Sequence, residues 1–140
     1  MPAKAEAVWT GELKTGTGTF RAGEGISGEY SFRTRFEDAP GANPEQLIAA
    51  AHAACYSMAL SAALGNQGTV VESVRTEATV TLRNVDGTPT ITSIALRTEG
   101  RVPGLDEAAF REAAEAAKTG CPVSRALAGV PEITLEATLV

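Results

Sequence analysis

Two cysteines, Cys55 and Cys121, and the few charged groups able to activate them are the residues of this chain that could do chemistry. Cys55 lies within an alanine-rich apolar stretch, AAHAACYSMAL, and Cys121 lies at a helix start, TGCPVS. Two thiols in separate, well-formed local settings point to thiol redox chemistry before they point to a structural staple. The nucleophile in such chemistry is the thiolate, and an ordinary thiol, with a pKa near about 8.5, is thiolate only to a few per cent at neutral pH. Burial lowers that fraction further. A reactive Cys55 therefore needs a fixed cation, and arginine suits because it stays charged when desolvated and presents a rigid donor fork.

Arg33 and Arg35 are the candidate cations. The segment GEYSFRTRF reads as a third strand, in which alternation puts both arginines on one face, opposite Phe32 and Phe36, and either could point over the helix that follows. A buried arginine needs a carboxylate, and Glu45, in the first turn of that helix, is the nearest in sequence. Glu45 precedes Cys55 by roughly 15 Å of helix at about 1.5 Å per residue, so the two cannot share a contact shell within one helix. If both serve one site, the carboxylate comes from a partner subunit across two antiparallel helices.

Cys121 has another route to activation. It caps a short helix, CPVSRALAG, where the free N–H groups and the positive dipole end favour a thiolate. On local physics it is the candidate for the more acidic thiol, and the residues leave open which cysteine attacks first. Their pairing depends on tertiary proximity, since a disulfide needs Cα atoms within about 7 Å. His52, one turn before Cys55, is either a base or a packed core histidine. Each of these residues also has a plainer reading: Cys55 as a small buried hydrophobe, and Arg35 or Glu45 as a solvated charge or a dipole partner. Two cysteines and one histidine without close pairing make no zinc pattern.

Composition narrows the class. With 140 residues, 44% of them hydrophobic, the chain can bury one good core and reads as a single domain over 1–140. A net charge of -5 and 5% aromatic residues give neither a basic stripe for phosphates nor platforms for bases, so nucleic acid is not an expected partner. MPAKAEAVWTGELKTG lacks the apolar core of a secretory signal. The apolar run Leu47–Leu64 has the length of a membrane span, but it is largely alanine, is interrupted by His52, Ser57 and Ser61, and lacks aromatic and basic flanks, so it reads as a buried helix with no membrane partner.

The elements that must position the cysteines read as follows. AEAVWTGEL, TFRAG and GEYSFRTRF form an antiparallel meander. Asn43 as cap and Pro44 at the first helical position then start a long helix that stops near Gly65. That helix is apolar on nearly every face and should be buried all round, so it needs a second helix or a second subunit besides one sheet. ESVRTEATVTLRN alternates, with Val74, Ala78, Val80 and Leu82 on one face, and Asp86 and Gly87 turn it into TITSIALRTEG, whose Ile94 and Leu96 face inward. An amphipathic helix, Leu105 to Thr119, starts at Asp106 and is closed by Gly120. After the short helix at Cys121 comes a last strand, ITLEATLV. The order βββ-α-ββ-αα-β is that of an α+β domain.

Taken together, AVWTGELKTGTGTF, TRFEDAPGANPEQLIAAAHAACYSMALSAALG and AKTGCPVSRAL resemble the OsmC/Ohr family of thiol-dependent peroxidases, and its OsmC branch more closely, essentially end to end. The resemblance implies an OsmC-like fold, with antiparallel sheets around long central helices in an intertwined cytoplasmic homodimer whose active sites lie at the interface. It implies Cys55 as peroxidatic cysteine, Cys121 as resolving cysteine, and Arg35 and Glu45 as the assisting pair. It implies a hydroperoxide substrate, reduced through a sulfenic acid and an intramolecular disulfide, and a thiol or dihydrolipoyl reductant, with no metal, haem or flavin. Apolar Tyr56, Met58 and Leu60 near Cys55 favour an organic hydroperoxide over hydrogen peroxide. Two other readings compete: a lipid- or isoprenoid-binding protein in which the cysteines only pack, and a protein disulfide reductase, although C-x-x-C is absent.

Overall fold

The computed structural model describes residues 1–140, which form two compact units, Met1–Leu47 and Ile48–Val140. In the first unit β1 (Ala5–Thr10), β2 (Thr17–Ala22) and β3 (Ile26–Tyr30) form the expected antiparallel meander in the order β1-β2-β3. Gly18 of β2 sits in register with Trp9 on one side and Tyr30 on the other. A Cβ there would strike both rings, and with glycine in place the rings close over the backbone with centroids 5.6 Å apart.

The third strand ends earlier than its alternation suggests. Phe32–Phe36, expected as strand, forms a short helix, α1. Ser31 and Thr34 explain the change, because they make a reciprocal capping box. The Thr34 amide donates to Ser31 Oγ at 3.2 Å and the Ser31 amide donates to Thr34 Oγ1 at 2.9 Å. Helical geometry separates the side chains of Arg33 and Arg35 by about 200° and sends them to different partners, where a strand would have put them on one face.

A single long helix, α2 (Pro44–Asn66), starts in the first unit and continues through the second. Asn43 caps it as expected, its Oδ1 accepting from the Gln46 amide at 2.8 Å while its Nδ2 donates to the Thr34 carbonyl of α1 at 2.9 Å.

In the second unit β4 (Ser73–Val85) and β5 (Thr88–Arg101) form the expected hairpin. Asp86 and Gly87 both have positive φ, 51° and 84°, as a tight two-residue turn matched to strand twist requires. A bulge at Thr81/Leu82 shifts the register. β6 (Glu132–Leu139) joins β5 in parallel, which a crossover through α3 (Glu107–Gly120) and α4 (Pro122–Ala126) makes possible. Asp106 caps α3, but Gly120 is its last helical residue and not a left-handed stop; Cys121 takes the C-cap. The core joins Tyr56, Leu60 and Leu64 of α2 to Ile94 and Leu96 of β5 and to Phe110, Ala114 and Ala117 of α3.

α2 is not buried all round. His52, Tyr56, Leu60 and Leu64, one turn apart, form its buried stripe. Leu47, Ala50, Ala51, Ala54, Met58 and Ala62 remain exposed, Met58 to 75%. The helix is long and apolar enough to cross a membrane, with a mean hydropathy of 1.6, yet only 22% of that window is buried within the chain. The chain supplies packing partners for one stripe of this helix and none for the opposite one.

Phe110 is fully buried against Gly100, where any Cβ would overlap its ring. Gly100→Ala should therefore destabilise the fold by about 1–3 kcal/mol through overpacking, while Gly129→Ala, which meets nothing within 4 Å, should leave the urea denaturation midpoint near that of the parent. Equal midpoints for the two variants would contradict this packing.

Candidate active site

Cys55 flanks the buried stripe of α2, half-buried, one residue before Tyr56. The Tyr56 ring is fully buried and its hydroxyl donates to the Ala114 carbonyl of α3 at 2.8 Å, which fixes the rotation of α2 about its own axis. Cys121 is fully buried where α3 passes into α4: its amide donates to the Ala117 carbonyl at 3.0 Å and its carbonyl accepts from the Arg125 amide at 3.0 Å. This double cap leaves its backbone little freedom. The two thiols, both free, meet with their sulfurs 2.9 Å apart although 66 residues separate them in the chain.

The two thiols are not electrostatically equivalent. Burial raises the Cys55 pKa, and its contact with Cys121 raises it further, against a smaller lowering by the Val123 amide. Burial also pushes the Cys121 thiol up, but hydrogen bonding from Cys55, from the Ser124 amide and hydroxyl, and from the Val123 amide outweighs it and leaves the thiol below its ordinary value. In the second unit the thiolate is therefore favoured at Cys121.

His52 is fully buried, and its Nε2 lies 2.7 Å from Ser124 Oγ while its Nδ1 has no hydrogen-bond partner. Burial lowers its pKa, so it is held neutral. His52 packs against α4 and approaches the thiols through Ser124. Ser124 escaped the sequence reading, although the three-residue spacing of CPVS already places its side chain beside that of Cys121 on a helix.

In the first unit Arg35, and not Arg33, pairs with Glu45. Its Nη2 and Nε reach Glu45 Oε1 at 2.8 and 3.1 Å, and its guanidinium carbon lies 5.4 Å from the centroid of the Phe36 ring. Arg33 instead binds Glu37, exposed, at 3.2 Å. The Glu45 carboxylate is buried and its second oxygen, Oε2, has no partner. A position in the first turn of α2 favours this negative charge. Arg35 also lines a recess of about 210 Å³ with Trp9, Leu13, Tyr30, Ser31, Phe32 and Phe36. The apolar residues named beside Cys55 do not form such a recess. Tyr56 and Leu60 point into the core and Met58 out to solvent, since residues two apart on a helix face opposite ways.

A reduced cysteine pair in hydrogen-bond contact can carry a cycle in which one sulfur is oxidised and the other closes a disulfide on it. The family model described as OsmC-like protein matches residues 36–136. The chain is 48% identical over 135 residues to peroxiredoxin OsmC of Escherichia coli, covering 95% of this chain and 93% of that protein. Among solved structures, an OsmC-like protein of Mycoplasma pneumoniae superposes with a TM-score of 0.76 at 20% identity, covering 100% of this chain and 98% of the other. The organic hydroperoxide resistance protein OhrB of Bacillus subtilis superposes with a TM-score of 0.68 at 25% identity, covering 98% of each chain. By its sequence and its α+β fold alike, the chain belongs to the OsmC-like family.

Proposed function

We propose that the chain is a cysteine-based peroxidase that reduces organic hydroperoxides, and hydrogen peroxide less well, in a two-thiol cycle, its 140 residues working as one domain. The observation that carries this reading is the approach of two free sulfurs to 2.9 Å. The Cys55 thiolate attacks one oxygen of the peroxide; an S–O bond forms as the O–O bond breaks, and the departing alkoxide takes a proton to leave as alcohol. Arg35, held by Glu45, stabilises the thiolate and the departing oxyanion. Cys121 then attacks the Cys55 sulfenic sulfur, releasing water and closing the disulfide. An external thiol, a dihydrolipoyl group by preference, reduces that bond by exchange and is itself oxidised. The aromatic recess beside Arg35 suits an alkyl or aryl group on the peroxide. A cycle that ends in reduction by thiols belongs in the cytoplasm.

Replacing Cys55 with Ser should abolish hydroperoxide consumption. Cys121→Ser should still consume one equivalent of cumene hydroperoxide and stop as a sulfenic acid, which dimedone traps and mass spectrometry locates. Dimedone on Cys121 in an active Cys55→Ser protein would reverse the roles, and thiols inert to hydroperoxide would favour the lipid-binding reading.

The active form is a homodimer. Burial and Cys121 raise the Cys55 pKa, so attack needs a cation, while Glu45 sits at the far end of the same helix. Two copies of α2 packed antiparallel through the exposed alanine stripe and crossing near Ala50, midway between Glu45 and Cys55, bring the Arg35–Glu45 pair of one subunit level with Cys55 of the other. Sedimentation equilibrium at micromolar protein should then give twice 14.4 kDa. In mixed dimers of one Cys55→Ser and one Glu45→Gln subunit, one site should carry both lesions and the other none, leaving about half the parent activity by the trans arithmetic of a two-site dimer. Activity well below half would assign Glu45 to its own subunit's site.

A further inference from the structure

His52 is a fully buried titratable group to which the proposed cycle gives no part. It presents one ring nitrogen to Ser124 Oγ at 2.7 Å and leaves the other, Nδ1, without a partner. A proton on Nδ1 would be a buried N–H without an acceptor, the rarer and costlier orphan; a bare Nδ1 leaves only an unfilled acceptor. The proton therefore belongs on Nε2, which donates to Ser124 Oγ. The Ser124 hydroxyl, with its oxygen already accepting from His52, is free to turn its own proton toward Cys121, three residues earlier at the cap of the same helix, and hydrogen bonding from Ser124 is among the causes that lower the Cys121 thiol. Ser124 is itself buried, 6% exposed, so water does not compete effectively for that proton.

We propose that His52 and Ser124 form a donor chain, His52 Nε2–H to Ser124 Oγ–H to Cys121 Sγ, that holds the Cys121 sulfur as a thiolate aimed at Cys55 for the disulfide step. Both are positioning residues, and their role rests on the peroxidase reading above. In the step they serve, the electron pair of the Cys121 thiolate forms the S–S bond with the sulfenic sulfur of Cys55 as its S–O bond breaks. The departing hydroxide and the proton lost from Cys121 make the water, so no further reactant is needed. The titratable groups around the sulfur are Cys55, His52 and Tyr56 of α2; Tyr56 is pushed up by burial first, then by Glu115 of α3 and by Cys121. Because burial keeps His52 neutral, and an imidazolium would still donate through Nε2, the direction of the chain does not reverse with pH.

The test separates the donor chain from the peroxidase reading by using two readouts. In the Cys55→Ser protein a single thiolate remains to be titrated by its absorbance at 240 nm, with no peroxide present. Ser124→Ala and His52→Leu should each move that midpoint up by about one pH unit, the loss of one hydrogen bond to a charged acceptor, and His52→Gln, whose side-chain amide can still donate to Ser124, should restore it. In the two-cysteine protein, rapid mixing with one equivalent of cumene hydroperoxide followed by dimedone quenching resolves the two steps. Ser124→Ala should slow disulfide closure about tenfold and leave formation of the sulfenic acid at the parent rate. Unmoved midpoints, or both steps slowed alike, would overturn the donor chain. A parent protein that consumes no hydroperoxide would sink the peroxidase reading alone, while the titration would still decide the chain.

Discussion

The site depends on keeping two sulfurs, remote in sequence, within 2.9 Å of each other without a bond between them. Such an approach needs both backbones clamped, because thiol side chains alone have rotamer freedom enough to drift apart. Cys121 inherits its place from α3, since it closes that helix and opens α4 in the same residue. α3 is in turn fixed by Phe110 seated over Gly100 and by Ala113, Ala114 and Ala117, whose small side chains permit a close approach. On the other side Tyr56, buried and hydrogen-bonded to α3, sets the rotation of α2 that presents Cys55. The core of the second unit is thus the device that aligns the thiols.

That alignment carries an electrostatic cost. Burial and the facing sulfur work against ionisation of Cys55, while the amides and hydroxyl at the start of α4 favour it at Cys121. Within the second unit the Cys121 sulfur is thus the easier of the two to ionise. In the first unit an arginine is fixed by a buried carboxylate, braced against Phe36 and placed by the capping of α1 and α2. One oxygen of that buried carboxylate has no partner, a cost that the pairing of the other oxygen with Arg35 offsets only in part.

Much of this was legible in the residues. Asn43-Pro44 and Asp86-Gly87 are local signals whose physics needs no tertiary help, one filling a helix start and the other supplying positive φ, and both stand where the sequence puts them. Alternation failed at Phe32–Phe36 because so few residues fit a strand period and a helical turn about equally well. The Ser31/Thr34 box decided it, a shorter-reaching version of the usual Ser/Thr with Glu/Gln pattern. The parallel course of β6 was not legible, since the same alternating face serves either direction and only the crossover through α3 and α4 selects one. The pairing of Arg35 with Glu45, and with it the choice between Arg33 and Arg35, followed from the helix that alternation missed.

The composition of α2 ties these features together. Its buried stripe carries large or polar side chains, His52, Tyr56, Leu60 and Leu64, each filling a specific place against the sheet and α3. Its exposed stripe is mostly alanine, with Leu47 and Met58 as the larger members. Alanine buries little apolar area per residue, so a stripe made of it is a weak source of hydrophobic energy, but it offers little steric bar to another backbone. A helix that needed only to stay in its own core would gain more from polar residues on that face, which would also keep it soluble. A face that is apolar yet nearly flat is suited to close helix contact.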